Sequence, residues 1–172
     1  TFQEDERFRS ALGCSVKDRA ENAMVVDMVR NDIGRIARWG SVRVDSAFDL
    51  EKYPTLFQMT STVTGETSAS FVAIVQALFP AASITGAPKI RSTQIIRELE
   101  PDARGVYTGC IGYLAPRRRA RFSVAIRTVA IDRAARRAEY GVGGGIVWDS
   151  TTEGEYAECC TKAAVLTAEI PQ

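Results

Sequence analysis

The stretch Val106-Tyr-Thr-Gly-Cys-Ile-Gly-Tyr-Leu-Ala115 decides the fold that this sequence predicts, together with the two segments that follow it. One arginine-rich turn separates it from residues 121–131, and a second separates those from residues 137–148. Strand-like runs joined by short charged turns are typical of hairpins. The three segments therefore predict neighbouring strands of a largely antiparallel sheet.

Helical patterns lie on both sides of this region. Residues 15–37 carry apolar side chains at helical spacing, including Val25, Met28 and Ile33. The other predicted helices are 3–12, 69–79, a segment from Pro88 to Leu99, and 153–169, and the other predicted strands are 41–50 and 56–65. Clustered strands flanked by helices predict an α+β fold, with helices covering one side of the sheet.

The amino-acid composition is most useful for excluding classes of function. The chain has 172 residues, of which 45% are hydrophobic and 25% charged, and its net charge is +1. This balance indicates no nucleic-acid or membrane partner, and no apolar run is long enough to cross a bilayer. The chain has no histidine, which excludes Ser/His and Cys/His chemistry within it, and its four cysteines form no CxxC pair that would favour zinc. We expect the protein to lie in a reducing, cytoplasmic compartment. Because the sequence starts at Thr1 without a methionine, we also expect it to be the interior of a longer polypeptide.

Two acidic pairs with matching spacing carry the first functional signal. Asp18 and Glu21 lie in the second predicted helix, and Glu155 and Glu158 lie in the last. Residues three apart share a helix face, so each pair aims two carboxylates in one direction. If the helices converge, four carboxylates meet in one cavity, and oxygen-only ligands favour Mg²⁺ there. Solvated helix surface is the alternative for either pair, although Glu21, one turn before Val25 on the apolar stripe, is expected to point inward.

A second group of residues is suited to an anion. Alternation along residues 121–131 turns Arg127 inward, where it needs either a ligand carboxylate or an internal glutamate as its partner. Residues 141–147 predict a glycine-bearing strand whose bare N–H groups suit an anionic ligand, with a bulge or a tight crossing as the alternative. Ser83 adds a hydroxyl to a loop at the start of a helix, where unpaired N–H groups favour anions.

Several motifs, taken in order, resemble one known family. They are Lys17-Asp-Arg-Ala-Glu-Asn22 with Val29-Arg-Asn-Asp32, Ser83-Ile-Thr-Gly-Ala-Pro-Lys-Ile-Arg91, Gly105-Val-Tyr107 with Gly109-Cys-Ile-Gly-Tyr113, Ala125-Ile-Arg-Thr128, Gly143-Gly-Gly-Ile-Val147, and Glu155 through Lys162. Together they cover nearly all of the chain. In this order they resemble the chorismate-utilising enzymes.

The resemblance implies a fold and a site. It implies that residues 1–172 form the C-terminal portion of a chorismate-binding catalytic domain of the anthranilate synthase component I type. Glu21 and Glu158 would bind Mg²⁺, directly or through water, with Asp18 and Glu155 supporting, and the ion would bind the ring carboxylate of chorismate. The implied substrate residues are Ser83 in the ring pocket and, for the carboxylates, Tyr107, Arg127, Gly143, Gly145 and Lys162. The residues by themselves leave Tyr107 open as core and Lys162 as half of an ion pair with Glu158.

The residues found at one position of the family pattern also favour one branch of the family. Gln58-Met-Thr-Ser61 stands where the anthranilate branch typically carries a histidine, and this favours the para-aminobenzoate branch, aminodeoxychorismate synthase component I. The resemblance implies replacement of the 4-hydroxyl of chorismate by an amino group, with ammonia from a glutamine amidotransferase partner. The anthranilate branch, and a non-catalytic binding or assembly module of the same fold, stay open as alternatives.

The sequence departs from the family pattern at the catalytic groups. The branch carries a Pro-Ile-Lys-Gly-Thr motif with a nucleophilic lysine, expected shortly before Thr1, and a general-acid glutamate further upstream. Neither is found in the 172 residues, so no catalytic residue is assigned within them. We therefore expect the chain to be inactive alone.

Overall fold

The computed structural model describes residues 2–166, and the chain forms two compact units, Thr1–Gln94 and Ile95–Gln172. In chain order the elements are α1 (Phe2–Cys14), α2 (Val16–Gly34), β1 (Arg43–Lys52), β2 (Phe57–Thr64), α3 (Phe71–Leu78), α4 (Ala82–Thr85), α5 (Lys89–Leu99), β3 (Cys110–Ala115), β4 (Arg119–Val124), β5 (Val129–Asp132), β6 (Arg137–Tyr140), α6 (Thr152–Ala163) and a short 3₁₀ helix (Ala164–Leu166). Helices and antiparallel hairpins in both units confirm the predicted α+β class.

The first unit is built on the β1–β2 hairpin. The two strands are antiparallel, and helices α1 and α2 pack against them. The register shifts twice between Val44 and Asp49, and in this bulge Phe48 takes a left-handed backbone with φ 61°. The Phe48 N–H donates to the Ser61 hydroxyl at 3.0 Å. A bulge of this kind bends the strand and increases its local twist, so β1 does not present a regular face to α2.

Three helices begin at a Ser or Thr cap. The side chains of Ser15, Ser70 and Thr151 each accept a hydrogen bond of 3.2 Å from the backbone N–H three residues further along, at the start of α2, α3 and α6. Replacing such a cap with alanine costs about 1 kcal/mol. The caps fix where α2 and α6, the helices with the acidic pairs, begin.

Large apolar side chains are widely exposed in both units. Trp39 and Trp148 are 99% and 97% exposed. The buried apolar residues among those described are Met59, Ala77, Ala82 and Ala125. The packing within each unit therefore leaves much apolar side-chain surface exposed.

The second unit contains two antiparallel hairpins, β3–β4 and β5–β6. β3 and β4 pair in continuous register from Cys110 opposite Val124 to Ala115 opposite Arg119. The predicted arginine-rich turns are confirmed, because Arg117 and Arg118 lie exposed between β3 and β4, and Arg133 and Arg136 lie exposed between β5 and β6. Arg119 and Arg137, predicted in the same turns, are the first residues of β4 and β6. The predicted antiparallel pairing is confirmed, and within the described part of the second unit β3–β4 and β5–β6 form two separate two-stranded sheets.

Two of the predicted strands are wrong in part. The run 121–131 breaks, because β4 ends at Val124 and β5 begins at Val129. The run 137–148 ends as a strand at Tyr140, and residues 141–147 form no ladder. Glycines supply no side chains to pack across a sheet, and the contacts of this segment are made instead with the Tyr107 ring and with α6.

The predicted helices are confirmed to within a few residues, with two differences. The loop predicted before Pro88 contains the short helix α4. The last helix becomes a 3₁₀ turn after Ala163, and residues 167–169 of the prediction lie outside the described residues. No single helix in residues 2–166 has the length and apolarity needed to cross a membrane. One bent pair, Phe71–Thr85 with Lys89–Leu99, has the required length and apolarity only when its two parts are counted together.

Candidate functional site

The acidic pair of the first unit lies in the first two turns of α2. Asp18 is exposed, and its backbone N–H is the group that the Ser15 cap accepts from. A carboxylate near a helix N-terminus is stabilised by the helix dipole, which gives Asp18 a structural role independent of any ligand. The Glu21 side chain is 35% exposed, and its Oε1 lies 3.8 Å from Lys17 Nζ. Glu21 is therefore half-buried, in line with its predicted inward position.

Polar contacts to the hairpin fix this part of α2. The Ser61 hydroxyl donates to Asn22 Oδ1 at 2.6 Å and accepts from the Phe48 N–H. The Arg19 guanidinium lies 4.2 Å from the centre of the Phe48 ring. Residues on both sides of Glu21 are thus attached to the bulge of β1, which restricts how Glu21 can rotate or shift.

The acidic pair of the second unit lies on α6 and is more closely engaged. Glu155 Oε1 accepts from the Ser150 hydroxyl at 2.6 Å, and Ser150 Oγ accepts from the Val147 N–H at 3.0 Å. This bridge ties the Glu155 carboxylate to the end of the glycine segment. Sequence reasoning assigned no role to Ser150, because no periodic pattern pairs a loop hydroxyl with a helix carboxylate.

Lys162 joins the same cluster from one turn further along α6. Its ammonium donates to the Gly143 carbonyl at 2.7 Å and to Glu158 Oε1 at 2.5 Å, and the Tyr140 hydroxyl donates to the Lys162 carbonyl at 3.3 Å. The ion pair anticipated as the alternative role of Lys162 is present. An ammonium has three donors, so the two contacts found within residues 2–166 leave one N–H of Lys162 for a ligand.

The glycine segment lies close to both Tyr107 and the α6 carboxylates. A Cβ added at Gly143 would lie 2.8 Å from the Tyr107 hydroxyl. A Cβ added at Gly144 would collide with Glu155 Oε2 and would lie 3.9 Å from Glu158 Oε1. Both carboxylates therefore face the small volume beside the Gly144 Cα that any side chain would fill.

This arrangement fits the residues expected for Mg²⁺. Protein-bound Mg²⁺ commonly takes one or two carboxylates and completes its shell with water and substrate oxygens. Glu155 and Glu158 supply two carboxylates facing one point beside Gly144. Within each unit, no three Asp, Glu or Cys side chains of residues 2–166 are grouped as a metal site. Convergence of Asp18 and Glu21 with the α6 pair stays a prediction.

Arg127 departs from its predicted orientation. The side chain is exposed, and its backbone takes the left-handed conformation with φ 51°. The preceding Ala125 is only 2% exposed and exchanges backbone hydrogen bonds with Thr108 and Gly109 at 2.9 Å. Strand alternation stops at this anchored bend, so the inward orientation is wrong. The exposed guanidinium can still take a ligand carboxylate.

The remaining predicted residues are placed at or near the surface. Ser83 is exposed on α4, while Thr85 of the same helix is buried. Gly145 is exposed, and nothing lies within 4 Å of a Cβ added there. Tyr107 is half-buried, so the core role left open for it is met only in part.

A cavity of about 460 Å³ borders Tyr107 on the second unit. Its lining includes Glu100, Arg104, Glu139 and Gly141. Arg104 donates twice to the Glu100 carboxylate, at 2.6 and 2.7 Å, and these hydrogen bonds lower the pKa of Glu100 and raise the pKa of Arg104. The pair stays charged, so this cavity has a polar wall beside the Tyr107 ring.

Sequence reasoning also missed a buried carboxylate in the first unit. Asp32 is 5% exposed and binds both Arg35 and Lys89. A signal for it existed, since Asp32 follows Val25 and Met28 on the apolar face of α2. A charged residue on such a face predicts a buried ion pair.

Comparison with known proteins identifies the family. Residues 1–168 match the family described as chorismate binding enzyme. The chain is 48% identical over 168 residues to aminodeoxychorismate synthase of Streptomyces griseus (96% of this chain, 23% of that protein). It is 42% identical over 165 residues to aminodeoxychorismate synthase component 1 of Bacillus subtilis strain 168 (95% and 35%).

The fold agrees with the same assignment. The structure superposes on anthranilate synthase component I from Streptococcus pneumoniae TIGR4 with a TM-score of 0.87 and 38% identity, covering 96% of this chain and 38% of that one. The chain thus spans between about a quarter and two fifths of the length of these three proteins. By the match over residues 1–168, the chain belongs to the chorismate binding enzyme family.

Proposed function

We propose that this chain contributes the magnesium- and carboxylate-binding side of a site that converts chorismate to 4-amino-4-deoxychorismate. The observation that carries the proposal is the cluster in which Glu155, Glu158 and Lys162 meet the backbone of Gly143 and Gly144. It combines two carboxylates for a cation with a cation and bare backbone for an anion. The two relatives named aminodeoxychorismate synthase support the choice of product.

The chain's own residues bind and orient in this proposal. Glu158, with Glu155 in support, would hold Mg²⁺ on the second unit, as Glu21 with Asp18 is predicted to do on the first, and the ion would supply Lewis-acid and template chemistry at the ring carboxylate. The remaining N–H of Lys162 and the Arg127 guanidinium bind substrate carboxylates by charge-assisted hydrogen bonds. The other substrate groups are the Tyr107 hydroxyl, the backbone N–H groups of Gly143 and Gly145, and the Ser83 hydroxyl.

The nucleophile and the ammonia come from outside these 172 residues. We assign the nucleophile to the lysine of a Pro-Ile-Lys-Gly-Thr motif, which this chain does not contain, and the ammonia to a glutamine amidotransferase partner. The 172-residue chain should then form no aminated product from chorismate, ammonia and Mg²⁺. Product formation by this chain alone would contradict the assignment.

Calorimetry on the complete polypeptide that contains these residues tests the binding side of the proposal. We expect chorismate to bind only with Mg²⁺ present, and Glu158→Gln to weaken binding by about tenfold or more, the range found when metal-site partners are lost. Glu153→Gln, in the exposed first turn of the same helix, should leave it unchanged. Magnesium-independent binding, or equal effects of the two substitutions, would contradict the proposed metal site.

Anthranilate formation is the second candidate, because the superposed structure is an anthranilate synthase component I. The two reactions share substrate and metal but differ in product. Anthranilate is aromatic, whereas 4-amino-4-deoxychorismate retains the cyclohexadiene ring. Product analysis of the complete polypeptide with chorismate, ammonia and Mg²⁺ therefore separates them.

A further inference from the structure

The segment that carries Ser83 lies between the end of α3 and Lys89, and both are connected to one buried carboxylate, Asp32. Asp32 Oδ1 accepts from Arg35 Nη2 at 2.9 Å, and Asp32 Oδ2 accepts from Lys89 Nζ at 2.8 Å. The side chain of Lys89 is 17% exposed and that of Asp32 is 7% exposed. Screening by water is weak at such a site, so this pair differs from the surface ion pairs of the same unit.

Both cations also bind the end of α3. Arg35 Nη2 donates to the Ala77 carbonyl at 2.6 Å, and Lys89 Nζ donates to the Leu78 carbonyl at 3.4 Å. The last carbonyls of a helix have no partners within it, and basic side chains that bind them are stabilised by the helix dipole. Asp32 therefore connects α2, the last turn of α3 and the first residue of α5.

The Ser83 segment runs between these fixed ends. Residues 79–88 leave α3 directly after Leu78 and reach α5 at Lys89, and α4 lies between them. α4 packs against α2, with Thr85 buried and Ser83 exposed. The position of the Ser83 hydroxyl is thus set by the burial of α4 and by the two ends anchored through Asp32.

We propose that Asp32 is a positioning residue, which fixes the Ser83 segment against α2 and so sets where the Ser83 hydroxyl meets the substrate. The substrate part of this inference rests on the proposed function of Ser83. Asp32 acts through Lys89 and Arg35 and does not itself touch the ligand.

A matched control lies on the same helix. Asp27 pairs with Arg30 at 3.2 Å with the same three-residue spacing as Asp32 and Arg35, but its side chain is 81% exposed. Asp27→Asn removes one carboxylate charge from α2 without disturbing the Ser83 segment. Any effect shared by Asp27→Asn and Asp32→Asn is a general effect of charge on α2.

Hydrogen exchange on the complete polypeptide tests the positioning without a ligand. In Asp32→Asn the backbone amides of residues 79–88 should exchange about tenfold faster, since they lose a local anchor, while α1 and the β1–β2 hairpin keep their protection. Should Asp32→Asn fail to fold, Lys89→Gln makes the same test from the other end of the segment. No change at residues 79–88, or equal acceleration throughout the unit, would overturn the proposal.

A double-substitution cycle tests the connection to the substrate. Chorismate affinity with Mg²⁺ is measured for Ser83→Ala, Asp32→Asn and the double variant, with Asp27→Asn in place of Asp32→Asn as the control cycle. We expect Ser83→Ala to weaken binding about tenfold in the native background and much less beside Asp32→Asn, because coupled residues are not additive. Additive losses would overturn the link between Asp32 and Ser83. Absence of binding by the unsubstituted protein would contradict the proposed function instead, and the exchange experiment would still decide the positioning role.

Discussion

The two helices that carry the acidic pairs, α2 and α6, use their carboxylates differently. On α2 the most buried carboxylate is Asp32, whose partners Arg35 and Lys89 belong to its own unit. On α6, Glu155 and Glu158 are directed at the backbone beside Gly144. The buried acid of α2 binds segments of the chain together, whereas the acids of α6 approach the glycine segment, where Glu155 Oε2 fills the space that a side chain at Gly144 would need.

The two helices therefore carry acidic residues of two kinds, one that stabilises the fold and one that can bind a ligand. A carboxylate that already binds two cations in a buried setting has little capacity for a metal ion, since any further ligand must displace them. Glu158 is 44% exposed and pairs with the Lys162 ammonium, so a metal ion can reach it more readily than it can reach Asp32. The structure therefore gives Asp32 a structural role, while the binding role of Glu155 and Glu158 is the one that we propose.

The largest effect should follow from removing the buried carboxylate. Asp32→Ala leaves Lys89 without its buried partner, which costs about 3–5 kcal/mol for pairs of this kind. Urea unfolding measures the change. Asp27→Ala, on the exposed face of α2, should change stability by no more than about 0.5 kcal/mol. Similar losses for both variants would remove the distinction between the two kinds of charge.

A smaller effect should follow from filling the volume beside Gly144. In Gly144→Ala the added methyl collides with Glu155 Oε2, so the carboxylate must move away from its position. We expect Mg²⁺-dependent chorismate binding to weaken by about 2 kcal/mol, the scale of an overpacked site. Gly34→Ala, where nothing lies within 4 Å of the added carbon, is the control. Unchanged binding in Gly144→Ala would show that the α6 pair does not face the ligand.

The next effect tests how Glu155 is held. Ser150→Ala removes the hydroxyl that bridges Glu155 and the Val147 N–H, and a hydrogen bond of this kind contributes about 1 kcal/mol. Titration of Mg²⁺ in the presence of chorismate should show a fall of several-fold in affinity. Ser123→Ala, at an exposed hydroxyl of β4, should show none. A loss of stability without a loss of Mg²⁺ affinity would assign Ser150 to the fold alone.

The smallest effect concerns pH. The hydrogen bonds from Arg104 lower the pKa of Glu100 from its ordinary value of 4.5. The pair therefore adds stability that is fully present above pH 4.5 and is lost as the pH falls through the lower folded value. Because Glu100 is part-exposed, the contribution is limited to about 0.2–1 kcal/mol. Stability of Glu100→Gln relative to the native chain should differ at pH 7 and converge as the pH falls below the folded pKa of Glu100; a constant difference would contradict this origin.

Local sequence patterns predicted the helices and most strands. The predictions failed where contacts between residues far apart in the sequence determine the structure. Helix periodicity placed α2 and α6 within a few residues, and Glu21 is half-buried as its position on the apolar stripe indicated. The sequence predicts a glycine-bearing strand over residues 141–147, where glycines weaken a strand unless something approaches the backbone closely. Their partners, Tyr107 and Lys162, are 34 and 19 residues away from Gly141 and Gly143 respectively, and no local pattern reveals them.

The Arg127 error has a similar origin. Alternation assumes an unbroken strand, and here β4 ends at Val124 and Arg127 takes a left-handed backbone with φ 51°. The burial of Asp32 could have been predicted, since a charged residue among apolar residues at helical spacing indicates a buried position. Ser150 was not accessible to such reasoning, because its partners depend on how the loop before α6 curves.

The bulge at Phe48 has a consequence for how the chain can vary in length. Ser61 binds both Phe48 and Asn22, and Arg19 lies over the Phe48 ring, so the start of α2 is attached to one point of the hairpin. Insertions at the tip, between Lys52 and Phe57, leave that attachment intact. Deleting one residue between Val44 and Asp49 would reverse which side chains face α2 and would carry Glu21 away from its place. Homologous chains should therefore differ in length at the tip of this hairpin and keep its bulge.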